Sequence, residues 1–417
     1  MIFFYNIGIQ LLGAFFKIGS FFNAKIKQGY EGRQDWELKL KSFRNENPGP
    51  LVWFHCASLG EFEMARPVID LLNENRPANL QLFVTFFSPS GYEERKNYPA
   101  ITAAAYLPFD TRQSAQTFIS VLKPTVAVFV KYEFWLNYLR VLEERQIKNI
   151  LINGLFRKDQ LFFKPWGGLF RKALKSIDHL FLQNKHSAGL LYGLGISHTT
   201  VTGDLRYDRV MAIAKNTRDF PQLEAFLKDA FVIIGGSTWP EEEKILIKAL
   251  ANFQKKIKLI IVPHDISETH LQQIETNLHG VYVKRFSNMK ADLMPQVVLV
   301  DTIGHLSSLY KLGHVAIVGG GFTGALHNIL EPAVFGIPVV FGSTYNKFPE
   351  AGYFVDKGLS IAINSSEEFI ALVTEYINSK EKREVVKGIS ESVFKANSGG
   401  TEQVFYKIKG YLSSEVA

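Results

Sequence analysis

The chain has 417 residues, of which 47% are hydrophobic and 21% charged. That ordinary globular balance excludes disorder over most of its length and leaves room for two domains. A net charge of +7 points to an anionic partner; the basic residues are scattered, without a Lys/Arg-rich tail, which disfavours nucleic acid and leaves a membrane surface or a phosphorylated substrate.

The N-terminal stretch "MIFFYNIGIQLLGAFFKIGSFFNAKIK" has no charge before Lys17 and is crowded with Phe, Ile and Leu. Its breaks Asn6, Gln10, Gly13, Lys17 and Ser20 recur at helical spacing, predicting a helix with one narrow polar stripe. A secretory signal fits poorly, because neither a basic leading region nor a small-residue cleavage site is evident. The segment only marginally reaches the length of a spanning helix. Lying in the interface, with Lys17, Lys25, Lys27 and Arg33 near anionic headgroups, fits better. A plain amphipathic core helix is the alternative.

From residue 51 the chain alternates β-rich blocks with helical ones. "LVWFHC", "LQLFVTF", "AAYLP", "TVAVFV", "NILIN", "HLFLQ" and "TTVTG" read as strands, separated by helices such as "EFEMARPVIDLLNEN" and "TRQSAQTFISVL". Cys56, the single cysteine, follows His55 on the first strand. Neighbours on a strand point to opposite faces, so the two do not form a nucleophile pair, and Cys56 reads as core. One cysteine excludes an intrachain disulfide and suits a reducing compartment. A second series follows: "FVIIGG", "KLIIVP", "GVYVKR", "QVVLVD", "HVAIVGG", "IPVVFG" and "LSIAI", then a charged helical tail. The alternation predicts an α/β chain with two Rossmann-like domains, each with a parallel sheet, facing a cleft. The expected divisions are a membrane-associating helix over 1–30, a first domain over 31–205, a linker over 206–229 and a second domain over 230–417 that includes the C-terminal helices. No G-x-G-x-x-G fingerprint, Walker lysine or His/Cys ligand cluster appears.

Candidate site residues sit just past strands. Glu61, in "SLGEF", is either a general base or a first-turn acid favoured by the helix dipole. Glu133, in "VKYEFW", holds the corresponding place after the fourth strand, and a salt bridge to Lys131 or another base is its bland reading. In "GGSTWPEEE" Ser237 or Thr238 caps a helix, Pro240 suits its first turn, and Glu241 completes a Thr-x-x-Glu box with Thr238. The same turn is a candidate pocket for a donor phosphate, although its acidic first turn argues against strong anion binding. In "GGGFTGALHNILEP" glycines 319 to 321 permit close backbone approach. Asn328 and Glu331 either contact a nucleotide sugar or cap one another locally.

Taken in order, "HCASLGE", "YEFW", "GDLRYD", "GGSTWPEE", "VPHD", "DTIGHL" and "GGGFTGALHNILEP" resemble the 3-deoxy-D-manno-octulosonic acid (Kdo) transferases over nearly the whole chain. The hydrophobic start followed by "QGYEGR" is similar to that family's membrane-anchoring N-terminus. The resemblance implies a GT-B, inverting transferase that moves Kdo from CMP-Kdo to a hydroxyl of the lipid A precursor (lipid IVA) at the cytoplasmic face of the inner membrane. It also implies that Glu61 is the proton acceptor, that Glu133 is a second important acid, and that CMP is held by Pro263 and His264, by Ile303, Gly304 and His305, and by Asn328, Ile329, Leu330 and Glu331. CMP carries one phosphate, so neither a metal nor another cofactor is expected.

The match has departures. His264 stands where the family has arginine, Asp265 where it has histidine, His305 where it has glutamate, and "ALHN" replaces G-G-H-N. Lys158, Lys164, Arg171, Lys172 and Lys175, interleaved with Phe and Trp, are candidates for gripping acceptor phosphates, or else a solvated basic face. Two other readings share the scaffold: a GT-B transferase or epimerase using a UDP-sugar, and a non-catalytic carbohydrate- or lipid-binding protein.

Overall fold

Every β-rich block becomes a strand in the computed structural model, which describes residues 2–414 apart from Glu133 and Asp229. The first series forms β1 (Leu51–Cys56), β2 (Gln81–Phe86), β3 (Ala103–Tyr106), β4 (Val126–Val130), β5 (Lys148–Gly154), β6 (His179–Leu182) and β7 (Thr199–Val201). The second forms β8 (Phe231–Thr238), β9 (Ile257–Pro263), β10 (Val283–Arg285), β11 (Val297–Leu299), β12 (Val315–Val318), β13 (Val339–Gly342) and β14 (Ser360–Ile363). Each series makes a seven-stranded sheet, in the orders β3-β2-β1-β4-β5-β6-β7 and β10-β11-β9-β8-β12-β13-β14. All pairings are parallel. This is the doubly wound order that apolar runs buried on both faces produce. In each sheet the strand order reverses beside the first strand, between β1 and β4 and between β8 and β12.

The chain divides into two units, Met1–Arg209 with Asn397–Ala417, and Val210–Ala396. This corrects the expected divisions in two places. The break falls within the helix Arg206–Lys215 rather than across a linker at 206–229, and the last helix, Gly400–Ser414, belongs to the first unit. Packing explains the second change. Val404, Phe405 and Ile408 join Val52, Phe54, Cys56 and Val84 in the core on one face of the first sheet, where an uncovered row of β-branched and aromatic side chains would otherwise meet water. Trp53 and Phe83 face the opposite core, with Phe118, Phe129 and Tyr138. His55 and Cys56 thus diverge as strand alternation requires.

The first helix, Ile2–Gly19, departs from the polar-stripe expectation. Asn6 and Gly13 lie on the side that packs on the unit: the Asn6 carbonyl accepts from the Asn137 amide at 2.9 Å, and Gly13 approaches Phe109. Tyr5 donates to buried Asp110 at 2.5 Å, while Asp110 also accepts from the Asn137 and Tyr138 backbone N–H groups, both at 3.0 Å. Burial holds the Asp110 carboxyl at a raised pKa of about 7, against the opposing pull of these donors. The outward side carries Phe3, Phe4, Leu11, Phe15 and Ile18, and Phe21 and Phe22 follow it, with Phe22 85% exposed. The core-helix alternative fails on this count. By length and composition the helix is apolar enough to cross a membrane.

Arg33 is corrected as well. Expected at a headgroup surface, it is buried, and its guanidinium donates to the carbonyls of Leu107 (2.9 Å), Gly29 (2.6 Å) and Phe87 (2.6 Å). The rings of Phe87, Tyr106, Phe109 and Phe16 surround it. Desolvation lowers its pKa to about 10, still charged at neutral pH. It staples the segment after the helix Ala24–Glu31 to the loops leaving β2 and β3. Lys17, Lys25 and Lys27 are exposed, as expected.

Candidate active site

In the first unit the site grows from the end of β1. Ser58 is the N-cap of the helix Leu59–Asn75, and its hydroxyl accepts from the Glu61 N–H at 3.4 Å. Glu61 reaches back in turn, Oε2 accepting from the N–H of Ala57 at 2.5 Å and of Ser58 at 3.3 Å. The first-turn-acid reading of Glu61 is therefore correct as local structure, and the structure adds a capping box with Ser58. It does not displace the catalytic one, because the cap pins a half-buried carboxylate at the carboxyl edge of the sheet beside the β1/β4 reversal, where open α/β sheets receive ligands. Tyr132, after β4, feels that charge: burial raises its hydroxyl pKa, the Arg157 guanidinium 3.2 Å away opposes this, and Glu61 adds to the rise. Glu133 lies outside the described residues.

Aromatic packing fixes the neighbourhood. Trp135 meets His55 edge-on at 5.7 Å and packs on Phe87 at 5.1 Å. The His55 Nδ1 shares a 2.9 Å hydrogen bond with Thr85, which also accepts from the Trp53 indole at 2.8 Å. His55 is therefore a buried support beneath the site.

The five basic acceptor candidates have different surroundings. Arg171 is engaged by the backbone, donating to the carbonyls of Phe162 (3.1 Å), Lys164 (2.7 Å) and Pro165 (3.3 Å), and so closes its own loop. Lys164 is half-buried, while Lys158, Lys172 and Lys175 are exposed. Lys172 lines a cavity of about 490 Å³ with Ile2, Leu136, Arg140 and Leu169. Trp166 and Leu161 are exposed beside them.

In the second unit the site forms at the β8/β12 reversal. The capping box expected from Thr238 and Glu241 is corrected by one residue: Trp239 is the N-cap of the helix Pro240–Phe253, and Glu242 accepts from the Trp239 N–H at 3.0 Å. Thr238 remains in β8 and its hydroxyl donates to Glu243 at 3.2 Å, while Ser237 holds a left-handed backbone (φ 50°) at an irregularity in the β8/β9 pairing. Neither side chain caps the helix. Sequence reasoning missed Glu242. Its Oε1 accepts from the Gly320 N–H at 3.1 Å, tying the glycine loop after β12 to the helix after β8. Glycine is required there: a Cβ on Gly319 would stand 1.9 Å from the Ser237 carbonyl oxygen, and Gly320 has φ 82°. Burial raises the Glu242 pKa to about 7 despite three backbone donors.

The donor candidates gather along the carboxyl edge of this sheet. His264 follows β9 and stacks on Trp239 at 5.5 Å and 16°, and the ring of His327 lies 4.7 Å away. Trp239 Nε1 donates to His327 Nε2 at 3.1 Å. Burial, then the charge of His264, lowers the His327 pKa to about 4. Trp239 was also missed; His327 was legible in sequence only as the first residue of the His-Asn-x-x-Glu run beside the glycine loop, with no role assigned to its ring. Asn328 donates to Glu331 at 3.0 Å and accepts from the Leu330 N–H at 3.1 Å, so the two are in contact, but the capping-box alternative is corrected: Ile329 is the N-cap of the helix Leu330–Ala333 and no side chain caps it. The side chains of Pro263, Ile329 and Leu330 are buried, which leaves their backbone for any ligand. Ile303 is 82% exposed, and Gly304 is left-handed with open space around it. His305 packs on Phe286 (4.9 Å) and Phe220 (6.1 Å), and its pKa is lowered by burial and by Arg218. Among the described residues no group of three His, Cys, Asp or Glu side chains is placed to hold a metal ion.

Residues 34–209 match a family model described as 3-deoxy-D-manno-octulosonic-acid transferase (kdotransferase). The chain is 28% identical over 342 residues to the 3-deoxy-D-manno-octulosonic acid transferase of Aquifex aeolicus, covering 80% of this chain and 88% of that protein. It is 26% identical over 377 residues to the transferase of the same name from Haemophilus influenzae, covering 88% of each. Among solved structures it is similar to UDP-GlcNAc 2-epimerase from Neisseria meningitidis, with TM-score 0.61, 17% identity and coverage of 86% and 99%. It is also similar to MurG from Acinetobacter baumannii, with TM-score 0.55, 13% identity and coverage of 87% and 100%. These two likenesses concern the fold, which is of the GT-B type.

Proposed function

We propose that this chain, a glycosyltransferase belonging to the Kdo transferases, moves Kdo from CMP-Kdo to a hydroxyl of the lipid A precursor with inversion at the anomeric carbon. The observation that carries this reading is Glu61: a half-buried carboxylate, pinned by its own helix cap at the β1/β4 reversal, inside the segment that matches the family.

Glu61 takes the proton of the acceptor hydroxyl as its oxygen bonds to the anomeric carbon. The bond to CMP breaks with its electron pair leaving on the phosphate oxygen, through a transition state of oxocarbenium character. Glu133 serves as a second acid that orients acceptor or base. The second unit takes the donor, through His264, the backbone of Pro263, Ile303 to His305, and Asn328 to Glu331. With one phosphate on CMP, the reading assigns no metal or other cofactor.

The apolar outward side of the first helix, with Lys17, Lys25 and Lys27 exposed near it, supports an inner-membrane location on the cytoplasmic face. Lys158, Lys164, Lys172 and Lys175 are assigned to acceptor phosphates; Arg171 is not, since backbone carbonyls already occupy it.

Incubation with CMP-Kdo and a tetra-acylated lipid A precursor, followed by mass analysis, tests the reaction. One mass increment per sugar is expected, with inhibition by CMP and not by UDP. An unchanged precursor mass, or stronger inhibition by UDP, defeats the reading. Replacing Phe4 and Leu11 with Asp tests the location separately: vesicle binding is expected to be lost with the fold retained, and unchanged binding would remove the helix from that role.

A further inference from the structure

Indole nitrogen can only donate a hydrogen bond. The 3.1 Å contact from Trp239 Nε1 to His327 Nε2 therefore requires a lone pair on Nε2. A neutral imidazole with its lone pair at Nε2 carries its proton at Nδ1, since the hydrogen bond at one ring nitrogen decides the other. The neighbouring stack keeps this arrangement in place: His264 lies parallel to Trp239 at 5.5 Å, and the two imidazoles are 4.7 Å apart. The Trp239 backbone is fixed independently by Glu242, so the indole is anchored at the helix start rather than on a free loop.

We propose that Trp239 is a positioning residue for the donor site, its indole N–H holding His327 as the neutral Nδ1–H tautomer so that the ring offers a hydrogen-bond donor, beside Asn328, to an anionic group of the donor nucleotide. The inference rests on the donor reading above. Trp239 does not touch the ligand in this scheme; it acts by fixing which nitrogen of His327 bears the proton. Burial and the charge of His264 both work against an imidazolium at this position, which keeps the ring in a single protonation state at neutral pH.

The test uses the full chain with ¹⁵N-labelled histidine and CMP as probe. In the wild type, two-bond proton–nitrogen correlation spectra are expected to show His327 as Nδ1–H. In Trp239→Phe, which keeps an aromatic ring and the backbone cap, the proton is expected to move largely to Nε2 and CMP affinity to fall about 10-fold, the loss expected for one hydrogen bond to a charged group. A second pair of variants reads the nitrogen directly. An Asn amide stands near the place of Nδ1 and a Gln amide near that of Nε2, so His327→Asn is expected to keep CMP affinity within about 3-fold, while His327→Gln loses about 10-fold. An Nε2–H tautomer in the wild type, equal CMP affinity in wild type and Trp239→Phe, or the reverse order of the Asn and Gln variants would each overturn the proposal. Failure of the donor reading looks different: the wild type binds no CMP although its tautomer is Nδ1–H, and the positioning role falls with that reading.

Discussion

The two units use the same device to opposite ends. In each, the helix after the first strand begins with an acid at its third position that reaches back to the N-cap backbone, Glu61 to Ser58 and Glu242 to Trp239. Glu61 is half-buried, and its cap is made with the N–H groups of Ala57 and Ser58 in the turn that precedes it. Glu242 is 1% exposed, spans to Gly320 on the neighbouring loop, and has its pKa raised to about 7. One cap holds a half-buried carboxylate at the sheet edge, the one the proposed mechanism uses as base; the other seals its carboxylate inside as a brace. Helix capping fixes where such a carboxylate stands, and burial decides whether it is reagent or scaffold.

The largest effect that tests this contrast is expected at Glu61. Glu61→Gln should lower transfer at least about 100-fold, since a general base is worth that much, while CMP-Kdo binding and the unfolding midpoint stay close to wild type. A fall in binding equal to the fall in rate would make Glu61 scaffold like its counterpart. Glu242→Ala should show the reverse profile. It strands the N–H groups of Trp239 and Gly320, at about 1–3 kcal/mol each, so calorimetry should find the second unit destabilised and donor affinity reduced with it.

The pH dependence sharpens the comparison. The folded pKa of Glu242 lies above its ordinary value of 4.5, so the folded unit binds the proton more tightly than the unfolded chain. The stability that this group contributes is then full below about pH 4.5 and is lost as pH rises through about 7, with a slope of at most about 1.4 kcal/mol per pH unit. Hydrogen exchange of the helix Pro240–Phe253 between pH 5 and 8 should show this loss, and Glu242→Gln should flatten it. The smallest effect is expected at the first helix. Tyr5→Phe removes one donor to Asp110, at about 1 kcal/mol, and should speed exchange in Ile2–Gly19 while leaving β1 unchanged.

Much of the fold was legible because both sheets are buried on two faces, and such strands announce themselves as continuous apolar runs such as "LVWFHC" and "FVIIGG". The first-turn position of Glu61 was readable for a similar reason, being a matter of a few neighbouring residues, although its capping box with Ser58 emerged only in the structure. The register at Glu242 was not readable. Thr238 followed by Glu241 satisfies the same spacing rule as the true pair, and only the path of the chain, with β8 running on through Thr238, shifts the helix start by one residue. Arg33 was misplaced for another reason. Its partners, the carbonyls of Phe87 and Leu107 and four rings, come from sequence positions far from it.

By itself the sequence determined the doubly wound α/β architecture, the apolar character of the first helix and the position of Glu61 at a strand end, because each follows from short-range periodicity and capping chemistry. Tertiary structure alone decided that the last helix covers the first sheet, that Arg33 is a staple rather than a surface charge, and that Trp239, His264 and His327 meet. Those outcomes depend on contacts between distant segments, whose energies come from burial and from satisfying buried polar groups, and no local pattern encodes them.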